Sequence, residues 1–242
     1  LTLLRNASSL PSVARPRYTG GMRWNLPNTL SVLRLLAAPM LGIVFLLLPR
    51  PAADWIALLL FIFASLTDYV DGWLARRWNQ VTRFGAMLDP IADKAMVVIA
   101  LAVLLGLHGI SDWTLIPVAA ILFREVFVSG LREYLGAHAG RLKVTPLAKW
   151  KTTVQMVAIG FLFVWGLFDH YFIMQTFGMS GEIVAGILAG EIEDSVGLTW
   201  KYYGLIAFSY GGLALLWVAA ALTLLTGWDY FRKAMPYLKE DA

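Results

Sequence analysis

Cysteine is absent from this 242-residue chain. That excludes disulfides, thiolate catalysis and thiolate metal sites. Histidine is nearly as scarce: His108, His138 and His170 are scattered along the chain, so neither a zinc site nor histidine-based catalysis follows. Any metal here must take oxygen ligands. Charge is thin as well, with 15% of residues charged against 59% hydrophobic and a mean hydropathy of +0.66. A soluble domain carries about 25% charged residues, so the composition points to an all-α, polytopic membrane protein. No basic run with interleaved aromatics offers a groove for nucleic acid. The net charge of +4 instead suits contact with membrane lipids. No internal repeat, low-complexity tract or linker divides the chain, which leaves residues 22–242 as a single domain.

Residues 1–21 are mixed, basic and proline-containing, without the continuous apolar run of a signal peptide. They are expected to be disordered, or a non-native extension ahead of Met22. The run RWNLPN at 23–28 reads as a short interfacial segment, with Trp24 beside Arg23 at the headgroups. Six apolar stretches follow, at about 29–48, 54–76, 88–107, 113–131, 152–168 and 202–228, each long enough to cross ~30 Å of hydrocarbon. Arg34 interrupts the first, where it can snorkel to lipid phosphates or serve a site. The third is expected to open at Asp89, a good N-cap before Pro90. Residues 183–189 are too short to span and predict a surface helix with acidic flanks. Trp24, Trp55, Trp113, Trp150, Trp200 and Trp228 fall near the predicted helix ends as an interfacial belt, and Gly211 and Gly212 suit close helix packing.

Lysine and arginine gather on alternate sides of these spans. Arg5, Arg15, Arg17 and Arg23 precede the first, and Arg76, Arg77 and Arg83 follow the second. Arg132, Arg141, Lys143, Lys149 and Lys151 lie between the fourth and fifth, and Arg232, Lys233 and Lys239 close the chain. The opposite side keeps only Arg50 and Lys201. Basic loops mark the cytoplasm, so both termini are expected there.

Between these loops, residues 67–94 read TDYVDGWLARRWNQVTRFGAMLDPIADK. Asp68 and Asp71 are three apart and Asp89 and Asp93 four apart, so each pair shares a helix face with side chains ~5–6 Å apart. Like charges this close, beside hydrocarbon, call for a cation. An ion-translocation path through a transporter, or pairing with Arg76, Arg77 and Lys94 alone, would also account for them. Gly72 and Gly85 leave room for a ligand to approach backbone, and Arg76 can reach a phosphate.

The full pattern D-x2-D-G-x2-A-R-x8-G-x3-D-x3-D resembles the CDP-alcohol phosphotransferase family. The resemblance implies a six-helix membrane domain, usually a homodimer, that moves a phosphatidyl or related group from a CDP-linked lipid to an alcohol and releases CMP. It implies that Asp68, Asp71, Asp89 and Asp93 hold two divalent ions, Mg2+ or Mn2+, with Asp93 also the general base. Gly72, Arg76 and Gly85 would then lie against the CDP-lipid. Two hard cations suit a polyanionic pyrophosphate.

The motif region, with FREVFVSGLREYLGAHAGRLKV and LAKWKTTVQM, looks like the branch formed by the bacterial phosphatidylglycerophosphate synthases. That branch uses CDP-diacylglycerol and sn-glycerol 3-phosphate at the cytoplasmic face of the inner membrane. Arg124, Arg132 and Lys149 match its acceptor-phosphate residues. Glu125, Ser129 and Arg132 share one helical face, so an internal Glu125–Arg132 pair is an alternative use of Arg132. Lys149 and Lys151 could equally attract anionic lipid. Inositol phosphate, serine or phosphatidylglycerol would be the acceptor in sibling enzymes.

Overall fold

A computed structural model describes residues 25–78, 82–136 and 146–238, without the side chains at 69, 71, 72, 74–76, 146, 148, 149 and 238. The expected N-terminal extension and the start of the interfacial segment lie outside this range. Among the described residues there are seven helices and no strand: α1 (Leu26–Leu47), α2 (Ala52–Arg77), α3 (Arg83–His108), α4 (Asp112–Leu135), α5 (Pro146–Thr176), α6 (Gly181–Ala189) and α7 (Leu198–Leu238). Five of them, α1, α3, α4, α5 and α7, are long and apolar enough to cross a membrane. The protein is therefore an all-α, polytopic membrane protein, and the short α6 is the expected surface helix.

Several ends differ from the sequence reading, for local physical reasons. α3 opens at Arg83 rather than near Asp89, because Thr82 is the cap: its hydroxyl accepts the Gly85 N–H at 3.0 Å. Asp89 and Pro90 then fall inside the helix, where the proline costs one backbone donor without ending it. α5 and α7 run to 31 and 41 residues, beyond their apolar cores. Their polar extensions stay helical by pairing: Lys151 is buried against Glu125, and Lys233 meets Asp229 one turn away at 2.6 Å. At the start of α7 the Asp194 carboxylate accepts the N–H groups of Leu198 at 2.7 Å and Thr199 at 2.9 Å. Those two bonds, Thr199 first, hold its carboxyl below the usual carboxylate range.

α1 lies along α2 and α3, while α5 and α4 pack on α7, and α5 joins the two groups by touching α2 and α3. Lipid is as apolar as leucine, so helix association in a membrane depends on close packing rather than on hiding apolar surface. The core reflects this: Ala38, Ala57, Ala100, Ala158 and Ala219 are fully buried among Leu41, Phe61, Met96, Ile121 and Phe163. Gly212 belongs to the same device, since a Cβ there would lie 2.9 Å from the Leu162 side chain. Leu36, Leu46, Leu59, Phe63, Val126 and Leu225 face outward.

The two ends of the bundle differ in content. At one, Arg50 bonds Asp54 at 2.8 Å and the Gly166 carbonyl at 2.7 Å, and His108 stacks on Trp165. Every motif carboxylate with a described side chain lies toward the other.

Candidate functional site

The start of α1, the end of α2 and the start of α3 are locked together by short polar contacts. Thr82 donates to the Asn28 side-chain oxygen at 2.8 Å. A Cβ on Gly85 would lie 2.7 Å from that same oxygen, so the bare backbone at Gly85 serves the α1–α3 contact. One turn on, Ser31 donates to Asp89 at 2.6 Å. Next comes Arg34, whose Nη1 donates to Asp68 and to Asp93, each at 2.6 Å. Arg34 is 2% exposed, while its two partners are about half open.

One guanidinium nitrogen thus stands where two motif carboxylates from different helices converge, with Asp89 a turn before Asp93. The ligand atoms on offer are hard carboxylate oxygens from two helices, a donor set that suits a divalent cation, and Arg34 takes the place between Asp68 and Asp93 in this arrangement. Among the described residues no three acidic or histidine side chains form a closed metal cluster. Asp71, Gly72 and Arg76 lie on the helical backbone of α2, and their side chains are outside the description. The sequence leaves Arg34 between snorkelling to lipid phosphates and serving a site. The structure brings it to the centre of the carboxylates instead of to the headgroups.

Two cavities meet at Asp93. The first, of about 270 Å³, is lined by Arg34, Ser65, Asp68 and Asp93 with Met96, Met156 and Val157, so its floor is charged and its wall apolar. The second, of about 290 Å³, is lined by Asp93, Lys94, Arg124, Glu125, Arg132, Lys151, Thr152 and Gln155. Its lining carries four cations against two carboxylates. Glu125 is their hub: Arg124 donates to it at 3.2 Å and Lys151 bonds the same oxygen. Lys94 bonds Ser129, while Arg132 donates to the Tyr230 hydroxyl at 3.2 Å and lies over its ring. Gly227 lets α7 close on Arg124, as a Cβ there would lie 2.9 Å from the arginine's Cγ.

Arg124 and Arg132 are therefore brought together at one cavity, and the Glu125–Arg132 pair does not form. The Lys149 side chain is outside the description. Lys151, read from sequence as a headgroup-attracting residue, is 6% exposed and part of the cavity. Lys94 follows the last motif aspartate, and from sequence its charge suggests only a partner for the carboxylates.

A family profile described as CDP-alcohol phosphatidyltransferase matches residues 24–188. A protein of Cereibacter sphaeroides named CDP-diacylglycerol–glycerol-3-phosphate 3-phosphatidyltransferase is 57% identical over 224 residues, covering 91% of this chain and 100% of its own. Proteins of the same name from Rickettsia bellii and Escherichia coli are 36% identical over 214 residues and 44% over 143. The first covers 88% of this chain and 97% of its own, the second 58% and 78%. With the motif carboxylates gathered at one end of the helices and the match spanning most of the sequence, the chain belongs to the CDP-alcohol phosphatidyltransferase family.

Proposed function

We propose that this protein transfers the phosphatidyl group of CDP-diacylglycerol to sn-glycerol 3-phosphate, giving phosphatidylglycerol phosphate and CMP. The observation that carries the choice of acceptor is the second cavity, whose four cations outnumber its carboxylates beside Asp93. Lys151 is buried, Lys94 and Arg124 are partly so and Arg132 is open to the cavity mouth, so the excess of positive charge is placed to draw in an anion, and a phosphorylated alcohol supplies that anion.

Asp68, Asp71, Asp89 and Asp93 would hold one or two Mg2+ or Mn2+ ions, and such ions would neutralise the pyrophosphate of the donor. The donor lies in the cavity over Arg34 and Asp68, its nucleotide against Gly72, Arg76 and the α3 start near Gly85, and its acyl chains toward the apolar wall. Arg124 and Arg132, with Lys149, hold the acceptor phosphate. Asp93, shared by both cavities, takes the proton from the acceptor's primary hydroxyl. The oxygen then attacks the phosphorus bonded to the diacylglycerol oxygen, and the bond from that phosphorus to CMP breaks. Residues 22–242 form one catalytic unit of six spans, α2 being the sixth, in a homodimer of the bacterial inner membrane. The site and both termini face the cytoplasm, in keeping with the basic loops at that end.

Purified protein with CDP-diacylglycerol, Mg2+ or Mn2+ and labelled acceptors tests this directly. CMP release with glycerol 3-phosphate alone is the expected result. Release with serine, inositol phosphate or phosphatidylglycerol in its place would overturn the acceptor assignment.

A further inference from the structure

The lining of the second cavity is almost fully partnered. Asp93 bonds Arg34, Lys94 bonds Ser129, Lys151 and Arg124 bond Glu125, and Arg132 bonds Tyr230. Thr152 also has a partner. Two buried atoms of the described lining have no hydrogen-bond partner, Arg124 Nε and Gln155 Oε1; Arg124 is already held to Glu125 through Nη1, whereas Gln155 is 2% exposed and its oxygen is left without a donor. It stands one turn beyond Lys151 on α5, so the two share a face. A buried amide oxygen with no donor loses its water bonds and regains nothing, so a wholly structural residue at this position would be better apolar.

We infer that Gln155 recognises the central hydroxyl of the acceptor and so selects a three-carbon phosphate bearing a hydroxyl at C2. This rests on the acceptor proposed above. An amide oxygen needs a donor, which an ionised phosphate cannot provide and a hydroxyl can. Glycerol 3-phosphate has two hydroxyls. The primary one is committed to Asp93 and the phosphate to Arg124 and Arg132, which leaves the C2 hydroxyl for Gln155. Contact at three groups on a chiral carbon chain also distinguishes the acceptor from its mirror image.

The test compares kcat/KM for sn-glycerol 3-phosphate and for its 2-deoxy analogue, 3-hydroxypropyl phosphate, in full-length wild type and Gln155→Met, alongside Tm in detergent. Wild type should favour glycerol 3-phosphate by about tenfold. In Gln155→Met that preference should vanish through the natural acceptor alone, with Tm no lower than wild type. Equal losses on both acceptors, a retained preference, or a lowered Tm would overturn the assignment. Should Gln155→Met yield no folded protein, Gln155→Asn decides: withdrawing the amide by one methylene must shrink the preference, and an unchanged ratio overturns it. Wild type that releases CMP with a different acceptor, and not with glycerol 3-phosphate, overturns the proposed function itself, a result distinct from failure of the variant.

Discussion

At the scale of single residues, Arg34 and Asp93 divide the work at the carboxylates. Asp93→Asn removes the proton acceptor but keeps the side chain's shape. CMP release should fall by about 100- to 10,000-fold while binding of CDP-diacylglycerol, measured by calorimetry, stays near wild type. Full activity in this variant would remove Asp93 from the chemistry. Arg34→Met leaves Asp68 and Asp93 facing each other without the bridging guanidinium. Because both carboxylates are half open, water relieves part of the repulsion, and the expected loss is about 1–2 kcal/mol. That deficit, read as Tm in detergent with chelator, should narrow when Mg2+ is added. A deficit insensitive to Mg2+ would mean that Arg34 acts only in packing. The four aspartates were legible in the sequence because their spacing is local to two helices. Arg34 was legible as a cation that could serve a site, but its partners were not, since they stand 34 and 59 residues away and only the packing of α1 on α2 and α3 identifies them. Lys151 was misread for a related reason: in a basic loop its charge suggests lipid, and only the fold reveals Glu125.

Helices α3 and α7 show what local sequence can and cannot fix. Their apolar centres were plain, but their starts depend on side-chain caps six or more residues from the apolar run, at Thr82 and Asp194. The role of Gly85 was equally hidden, since a glycine beside a nucleotide motif reads as room for ligand whereas its neighbour is Asn28. Gly85→Ala should therefore push Asn28 from Thr82 and cost about 1–3 kcal/mol, with Tm falling even without substrate. An unchanged Tm would return Gly85 to the nucleotide alone. The cap at Asp194 is a matter of pH. Its carboxyl ionises more readily when folded, so its contribution is present above the ordinary carboxylate range and is lost as pH falls through the depressed folded value. Asp194→Ala should lower Tm at neutral pH, and the gap from wild type should close in strong acid.

The whole molecule has two unlike ends, and the absence of cysteine makes them easy to address. Single cysteines placed at Glu193 and at Arg232 in sealed vesicles should react with an impermeant maleimide from opposite sides. Labelling of both from one side would exclude a crossing by α7. The Arg34 bridge also bears on how the protein enters its membrane. An arginine within a newly inserted helix costs about 2.5–3.5 kcal/mol, and the carboxylates that neutralise it are synthesised 34 and 59 residues later. At about 5–20 residues per second the second of them arrives roughly 3–12 s after Arg34. Until Asp68 follows, Arg34 has neither partner, and until Asp93 follows it has only one. Emergence of α3 therefore completes both the pairing of Arg34 and the carboxylate cluster, so the order of translation is built into assembly of the site.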